Sequence, residues 1–356
     1  MRPAPPALLL ASAFFAAPCA AELAASRIAG VEYVRLDEGA QRLGLRLVPA
    51  DAPQAVMLKD GARPVARLLD HSREIDLEGL RVFLGDPVVL KGGAFYVSQT
   101  DYQARLVPRL RPELCGPPPS EPRMVVIDPG HGGTDQGATN KALGSMEKTY
   151  TLDVSLRLRR LLEAAGYQVV LTRDADYDLP KLLRSEMANR ANADLFVSVH
   201  FNSLYPNTKT TGVEVLCFPP RSQRSADSWS PGSRDNAEAR DAPVNGFDAW
   251  SSVLAGALHR RVLDALRDGD RGEKLEHLAV LRDLRCPGVL VEPAFISSDA
   301  EAAKLGTAAF RDSIAAAVFA GIQDYAAVVR ALHPHPAGAS PGAAPVRAQP
   351  TRPAGP

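Results

Sequence analysis

Two histidines and a glutamate each stand where an apolar run stops. Met124-Val125-Val126-Ile127 ends at Asp128-Pro129-Gly130 and then presents His131 on a glycine-rich loop. Leu195-Phe196-Val197-Ser198-Val199 ends at His200, and Gly288-Val289-Leu290-Val291 ends at Glu292. Buried parallel strands read as short apolar runs of this kind, and α/β enzymes place their chemistry at the carboxyl ends of such strands. Two imidazoles and a carboxylate so placed point to a metal site. Each residue has a plainer reading: a loop histidine capping a helix, a satisfied core histidine, a strand-end carboxylate. The flanking Gly130, Gly132 and Gly133 argue for close backbone approach at His131. Glu292 resists the plain reading, because burying an unpaired carboxylate is costly.

The elements that would position these residues follow from periodicity. Strands are expected at 124–128, 167–172, 195–200, 212–218, 277–281 and 288–292, alternating with helical stretches at 149–165, 180–192, 248–267 and 308–330. The first helix carries Leu152, Leu156, Leu158, Leu161 and Leu162 and stops at Gly166. Such alternation implies an α/β catalytic domain over 123–332: three layers, α/β/α, around a central, mostly parallel six-stranded sheet. Residues 27–110 read as a small, mainly β domain whose short apolar runs are separated by Asp-Gly, Gly-Asp-Pro and Gly-Gly turns. Its lone His71 cannot hold a metal by itself. Residues 111–122, RPELCGPPPSEP, form a stiff linker, and 333–356 is a Pro/Ala/Gly-rich tail with too few apolar side chains to fold.

At 356 residues the chain is long enough for two domains. Lysine plus arginine balances aspartate plus glutamate at 41 each, so no global field recruits nucleic acid or an anionic surface. Arg2 and the apolar block Ala7 to Ala17, followed by Cys19, Ala20 and Ala21, read as a secretory leader over 1–21, which implies a periplasmic or secreted protein. Ala16-Ala17-Pro18-Cys19 admits a lipoprotein reading, to which Pro18 is a poor fit. No later stretch reads as long and apolar enough to span a membrane. Cys115, Cys217 and Cys286 remain after the leader, none in a CxxC pair, so a structural zinc knuckle is excluded. Buried free thiols are favoured over a Cys217–Cys286 disulfide.

From Val125 to Ala138 (VVIDPGHGGTDQGA), followed by Glu147-Lys148, the chain resembles the zinc-dependent N-acetylmuramoyl-L-alanine amidases of the type 3 family. The likeness continues through Leu171-Thr172-Arg173, Arg184 with Ala188-Asn189, Ala193 to Asn202, Asp270-Arg271-Gly272, Val280-Leu281-Arg282 and Pro287 to Ser297, about 200 residues in order. The order of elements in 27–110 is similar to the copper-amine-oxidase-like N-terminal domain found on secreted wall enzymes. The main resemblance implies zinc on His131, Glu147 and His200, with Glu292 as the catalytic glutamate. The residue chemistry agrees: three protein ligands leave a fourth position for water, and a second carboxylate is needed to move its proton. Peptidoglycan is the implied partner, with room for a protein activator. A catalytically silent wall-binding protein and a zinc amidase or peptidase on another substrate are the rival readings. The chain departs from the family at Pro293-Ala294-Phe295, where a Leu/Thr-Gly-Phe step is usual, and at Ser298, where asparagine is expected. Asn202 could orient substrate, orient a ligand or serve a turn. The polar insertion 219–245 reads as a substrate-rim loop, with an inhibitory plug through Glu238 as the alternative.

Overall fold

Neighbouring residues of the apolar strands face opposite ways, and each face finds its own core. In the computed structural model, which describes residues 23–223, 225–226 and 246–333, Val125, Ile127, Val197, Val199, Val289 and Val291 enter one core. Val126, Phe196 and Leu290, each adjacent to one of these in sequence, enter another on the opposite face. The first core is closed by helices Glu147–Ala164, Asp248–Leu266 and Ala308–Leu332, which supply Val154, Leu158, Leu254, Leu258, Val318 and Ile322. The second takes Ala188 from helix Lys181–Arg190 and Val280 and Leu281 from the short helix Ala279–Arg282. Strands buried on both faces need apolar side chains at every position, which is why they read as continuous runs.

The strands in chain order are β1 (Ala25–Ile28), β2 (Val31–Arg35), β3 (Arg46–Pro49), β4 (Ala55–Asp60), β5 (Arg63–Leu69), β6 (Glu74–Leu77), β7 (Leu80–Phe83), β8 (Val89–Lys91) and β9 (Ala94–Ser98). They continue with β10 (Met124–Pro129), β11 (Thr139–Asn140), β12 (Ser145–Met146), β13 (Gln168–Leu171), β14 (Leu195–Val199), β15 (Val213–Cys217), β16 (Asp270–Leu275) and β17 (Gly288–Glu292). One sheet runs β13-β10-β14-β17-β15-β16-β7-β6-β5-β4-β3. Pairings from β13 to β16 are parallel except β15 against β17. The remaining N-terminal strands form a separate sheet, β1-β2-β9-β8, and β11 pairs with β12 as a small hairpin.

Three expectations need correction. The sheet does not stop at six strands: β16 pairs in parallel with β7 through Glu273 and Val82, so the N-terminal strands extend it to 11. The strand expected at 277–281 is a helix over Ala279–Arg282, and the sixth strand is the charged segment Asp270–Leu275. A four-residue apolar run does not distinguish strand from buried helix, and the charges of β16 are tolerated because each is paired. Helix Ala308–Leu332 is long and apolar enough by composition to cross a membrane. Here it packs as a core helix, with Ile314, Val318, Ile322, Tyr325 and Val329 buried.

The junction between residues 27–110 and the rest is polar and specific. Arg109 reaches across to Glu273 with Nη1 2.7 Å from each carboxylate oxygen, and both side chains are almost fully enclosed. Gly256 makes room for it, since a Cβ there would lie 2.1 Å from the guanidinium carbon. The Arg81 amide donates to Asp270, whose other oxygen meets the buried His259 ring. The linker is itself pinned to the last helix by a Glu121–Arg330 ion pair. Cys115, Cys217 and Cys286 are free thiols, Cys217 and Cys286 lying in the two opposite cores. The leader expected at 1–21, Glu238 and the tail beyond His333 lie outside the described residues.

Candidate metal centre

β10 and β14 lie side by side in the sheet, so the loop after one and the end of the other open at the same rim. His131 follows the β10 strand with φ +61°, a left-handed conformation in a non-glycine residue. His200 closes β14, its amide donating to Val291 O at 3.0 Å. Glu147 begins helix Glu147–Ala164, where the helix dipole favours a carboxylate. The hairpin β11–β12 leads directly into that helix start. One donor atom from each of His131, Glu147 and His200 lies within 4.8 Å of the others.

The details fix which atoms converge. His131 Nε2 is 3.1 Å from Glu147 Oε2, while its Nδ1 is held 2.9 Å from Asp135 Oδ1. His200 Nδ1 lies 2.9 Å from Glu147 Oε1. Ala138 N donates to Glu147 Oε2 and Phe201 N to Oε1, so each carboxylate oxygen is oriented by a backbone amide. Burial works against the charge on Glu147, but the hydrogen bonds and charge of His131 and His200 outweigh it and hold the carboxyl well below its ordinary range. Burial likewise opposes charge on His131, and Glu147 and Asp135 outweigh it, raising the imidazole pKa.

The donor set suits a divalent ion: two imidazoles and one carboxylate, with Asp135 behind His131 as such ligands are usually backed. Glycines make the space. A Cβ on Gly130 would stand 2.3 Å from the His200 ring, and one on Gly137 (φ +66°) would stand 2.6 Å from both Glu147 Oε2 and His131 Cδ2.

Glu292 ends β17, next to β14 and hence beside His200. Its Oε2 is enclosed and has no hydrogen-bond partner, although the residue as a whole is partly open to solvent. Burial pushes its pKa well above the usual carboxylate range, and the charges of Glu147 and Glu214 push the same way against Lys274.

Comparison with known proteins matches residues 125–324, more than half of the chain, to the family described as N-acetylmuramoyl-L-alanine amidase. The chain belongs to the N-acetylmuramoyl-L-alanine amidase family. Membership makes it a peptidoglycan amidase. The amidase AmiA of Escherichia coli K12 is 32% identical over 221 residues, covering 57% of this chain and 76% of AmiA. The sporulation-specific amidase of Bacillus subtilis is 33% identical over 193 residues, 54% of this chain and 63% of that protein. Among solved structures, the catalytic domain of CwlV from Bacillus (Paenibacillus) polymyxa var. colistinus aligns at 28% identity and TM-score 0.47, covering 57% of this chain and 97% of that domain.

The amidase holds its His131 loop with two buried arginines, whose roles were not evident from the motif. Arg184 donates to Asp128, to Pro129 O and to His131 O at 2.7 to 2.8 Å. Arg173 donates to Pro129 O, Gly130 O and Lys148 O at 2.8 to 3.0 Å. Asp128 accepts from Thr172 and Ser198 as well, so the acid that ends the first apolar run is a structural anchor. Asn202 turns to Glu214, its Nδ2 2.8 Å from Oε2, rather than to the His–Glu–His group. Ser298 caps helix Asp299–Leu305 by accepting from Glu301 N, a task serine and asparagine perform alike. Residues sequence reasoning passed over are Glu214, Lys274 and Asp135. Glu214 carries a legible signal, a lone carboxylate in the apolar strand Val213–Cys217. A cavity of about 490 Å³ at the junction, lined by Val34, Leu43, Tyr102 and Val107, holds none of these groups.

Proposed function

We propose that this amidase cleaves the bond between N-acetylmuramic acid and the L-alanine of the stem peptide, using zinc on His131, Glu147 and His200 and a proton shuttle at Glu292. The observation that carries the reading is the convergence of those three donors beside a carboxylate whose Oε2 has no partner. Zinc bound there would polarise the scissile carbonyl and bring water within reach of deprotonation near neutral pH.

The chain's own residues do the rest. Asp135 fixes the His131 ring so that Nε2 is directed at the group. Glu147 stays ionised, because two backbone amides and two imidazoles support its charge. Glu292 takes the proton from the attacking water and hands one to the departing amine of L-alanine. A carboxyl with a raised pKa retains that proton long enough to act as the acid.

Residues 27–110 serve in this reading as an accessory unit of the copper-amine-oxidase-like kind, following a leader that sends the protein to the periplasm or out of the cell. The sheet it shares with β16 makes it a fused unit rather than a tethered one. The test is digestion of purified sacculi with and without a chelator, followed by mass analysis of the products. Free lactyl carboxyls with intact L-alanine amines are expected, and their absence in zinc-loaded digests would refute the assignment. In the same assay Glu292→Gln keeps its zinc and loses turnover by a factor on the order of 10²–10⁴. Wild-type rates in that variant would move the proton shuttle elsewhere.

A further inference from the structure

Glu292 has a second carboxylate directly opposite it. β15 and β17 run antiparallel with Glu214 paired to Glu292, and directly opposed residues share a face with their Cβ atoms about 4.5–5.5 Å apart. The two groups are treated very differently. Glu214 Oε1 accepts from Lys274 Nζ at 2.9 Å and Arg271 Nε at 3.3 Å, and Oε2 accepts from Asn202 at 2.8 Å. Glu292 Oε2 has no partner at all.

The strand order explains why the cations stop at Glu214. β15 lies between β17 and β16, so Glu214 stands between Glu292 and the strand that carries Lys274. Lys274 pairs with Leu216 in the ladder, two residues along β15 from Glu214 and on the same side of the sheet. The lysine also lies over the ring of Phe83, contributed by β7, with Nζ 5.8 Å from the ring centroid. Arg271 is anchored separately over the Phe295 ring at 5.3 Å. Remove the Glu214 charge, and the carboxylate next in line for Lys274 is Glu292.

We propose that Glu214 is a positioning residue: it holds Lys274 in an ion pair of its own, so that Glu292 stays out of an ion pair and available for proton transfer. The proposal rests on Glu292 being the proton shuttle. A Lys274–Glu292 ion pair would tie up the Glu292 carboxylate, slowing the chemical step without removing a metal ligand.

The experiment is a double-variant comparison on a soluble muropeptide, with kcat, KM, zinc content and Tm measured for each protein. Glu214→Gln retains the length of the side chain and an acceptor for Asn202. It is expected to lower kcat at least about tenfold, and by no more than the roughly 10²–10⁴ that a positioned acid–base group contributes, with KM and zinc unchanged. Adding Lys274→Met to Glu214→Gln restores most of the lost kcat, and Glu214→Asp, which keeps the charge, stays faster than Glu214→Gln. A merely structural role for Glu214 gives no such rescue, because the second substitution then adds damage. A double variant as slow as Glu214→Gln overturns the proposal. Should Glu214→Gln not fold, the double variant carries the test alone, since it removes the cation that would pair with Glu292, and a folded, zinc-loaded but inactive double variant overturns it. Glu292→Gln is assayed alongside: full activity there defeats the proton-shuttle reading itself, whereas an inactive Glu292→Gln with no rescue defeats only the Glu214 inference.

Discussion

Gly137→Ala is expected to damage the metal centre through a single methyl group. Gly137 sits at φ +66°, and the added Cβ would lie 2.6 Å from both Glu147 Oε2 and His131 Cδ2. Ordinary contact begins at 3.4 Å, so two of the three candidate ligands must retreat or the loop must shift. Metal–ligand distances tolerate only about 0.2 Å, and disturbing the immediate support of ligands typically costs roughly 10- to 100-fold in affinity. A loss of that size, about 1.4–2.7 kcal/mol, is expected for zinc. The left-handed backbone adds a cost of about 1–2 kcal/mol to folding for any residue with a Cβ. Gly144→Ala separates the two effects. Gly144 has φ +62°, and a Cβ added there would meet nothing within 4 Å, so it carries the backbone cost without the contact. Thermal unfolding in chelator should then show similar falls of a few degrees in both variants. Competition with a chromophoric chelator should show weakened zinc only in Gly137→Ala. Parental zinc affinity in Gly137→Ala, or an equal loss in Gly144→Ala, would refute the reasoning.

Other substitutions report on the surrounding frame. His131→Ala and His200→Ala each leave two candidate ligands, and neither purified variant should retain stoichiometric zinc by elemental analysis. Arg109→Met strands the fully enclosed Glu273 carboxylate and should cost about 3–5 kcal/mol, read as a large drop in Tm, with partial recovery when Glu273→Leu is added. Glu301 accepts from the amides of Phe295 and Gly212, and burial together with Asp268 raises its pKa to about 8. A carboxyl raised on folding binds its proton more tightly in the native state, so its contribution is fully present below pH 4.5 and fades as pH rises towards 8. Glu301→Gln mimics the protonated form and should flatten the fall in Tm across that window; a pH profile parallel to the parent's would show that Glu301 is not the group responsible.

The apolar runs ending at His131, His200 and Glu292 were legible because parallel strands buried on both faces tolerate few polar residues, so a polar group at their end stands out. Glycines at 130, 132 and 133 announced close approach for a related reason, since few other residues tolerate it. Glu147 was different. A glutamate at a helix start is common, and it became a candidate only through the family resemblance. That its two oxygens meet both rings is a fact of the fold, set by the β11–β12 hairpin and the amides of Ala138 and Phe201.

Chain composition and periodicity therefore determined the α/β alternation, the strand ends and the residue types able to bind a metal. Tertiary structure alone decided what pairs with what. β16 escaped periodicity because its charges, Glu273 with Arg109 and Lys274 with Glu214, are satisfied by partners more than 50 residues away in sequence. The same long-range pairing extends the sheet into the N-terminal strands and, among the described residues, leaves the enclosed Oε2 of Glu292 without a partner. Hydrophobic pattern is a local property of the chain, whereas the compensation of a buried charge depends on which distant segment folds against it.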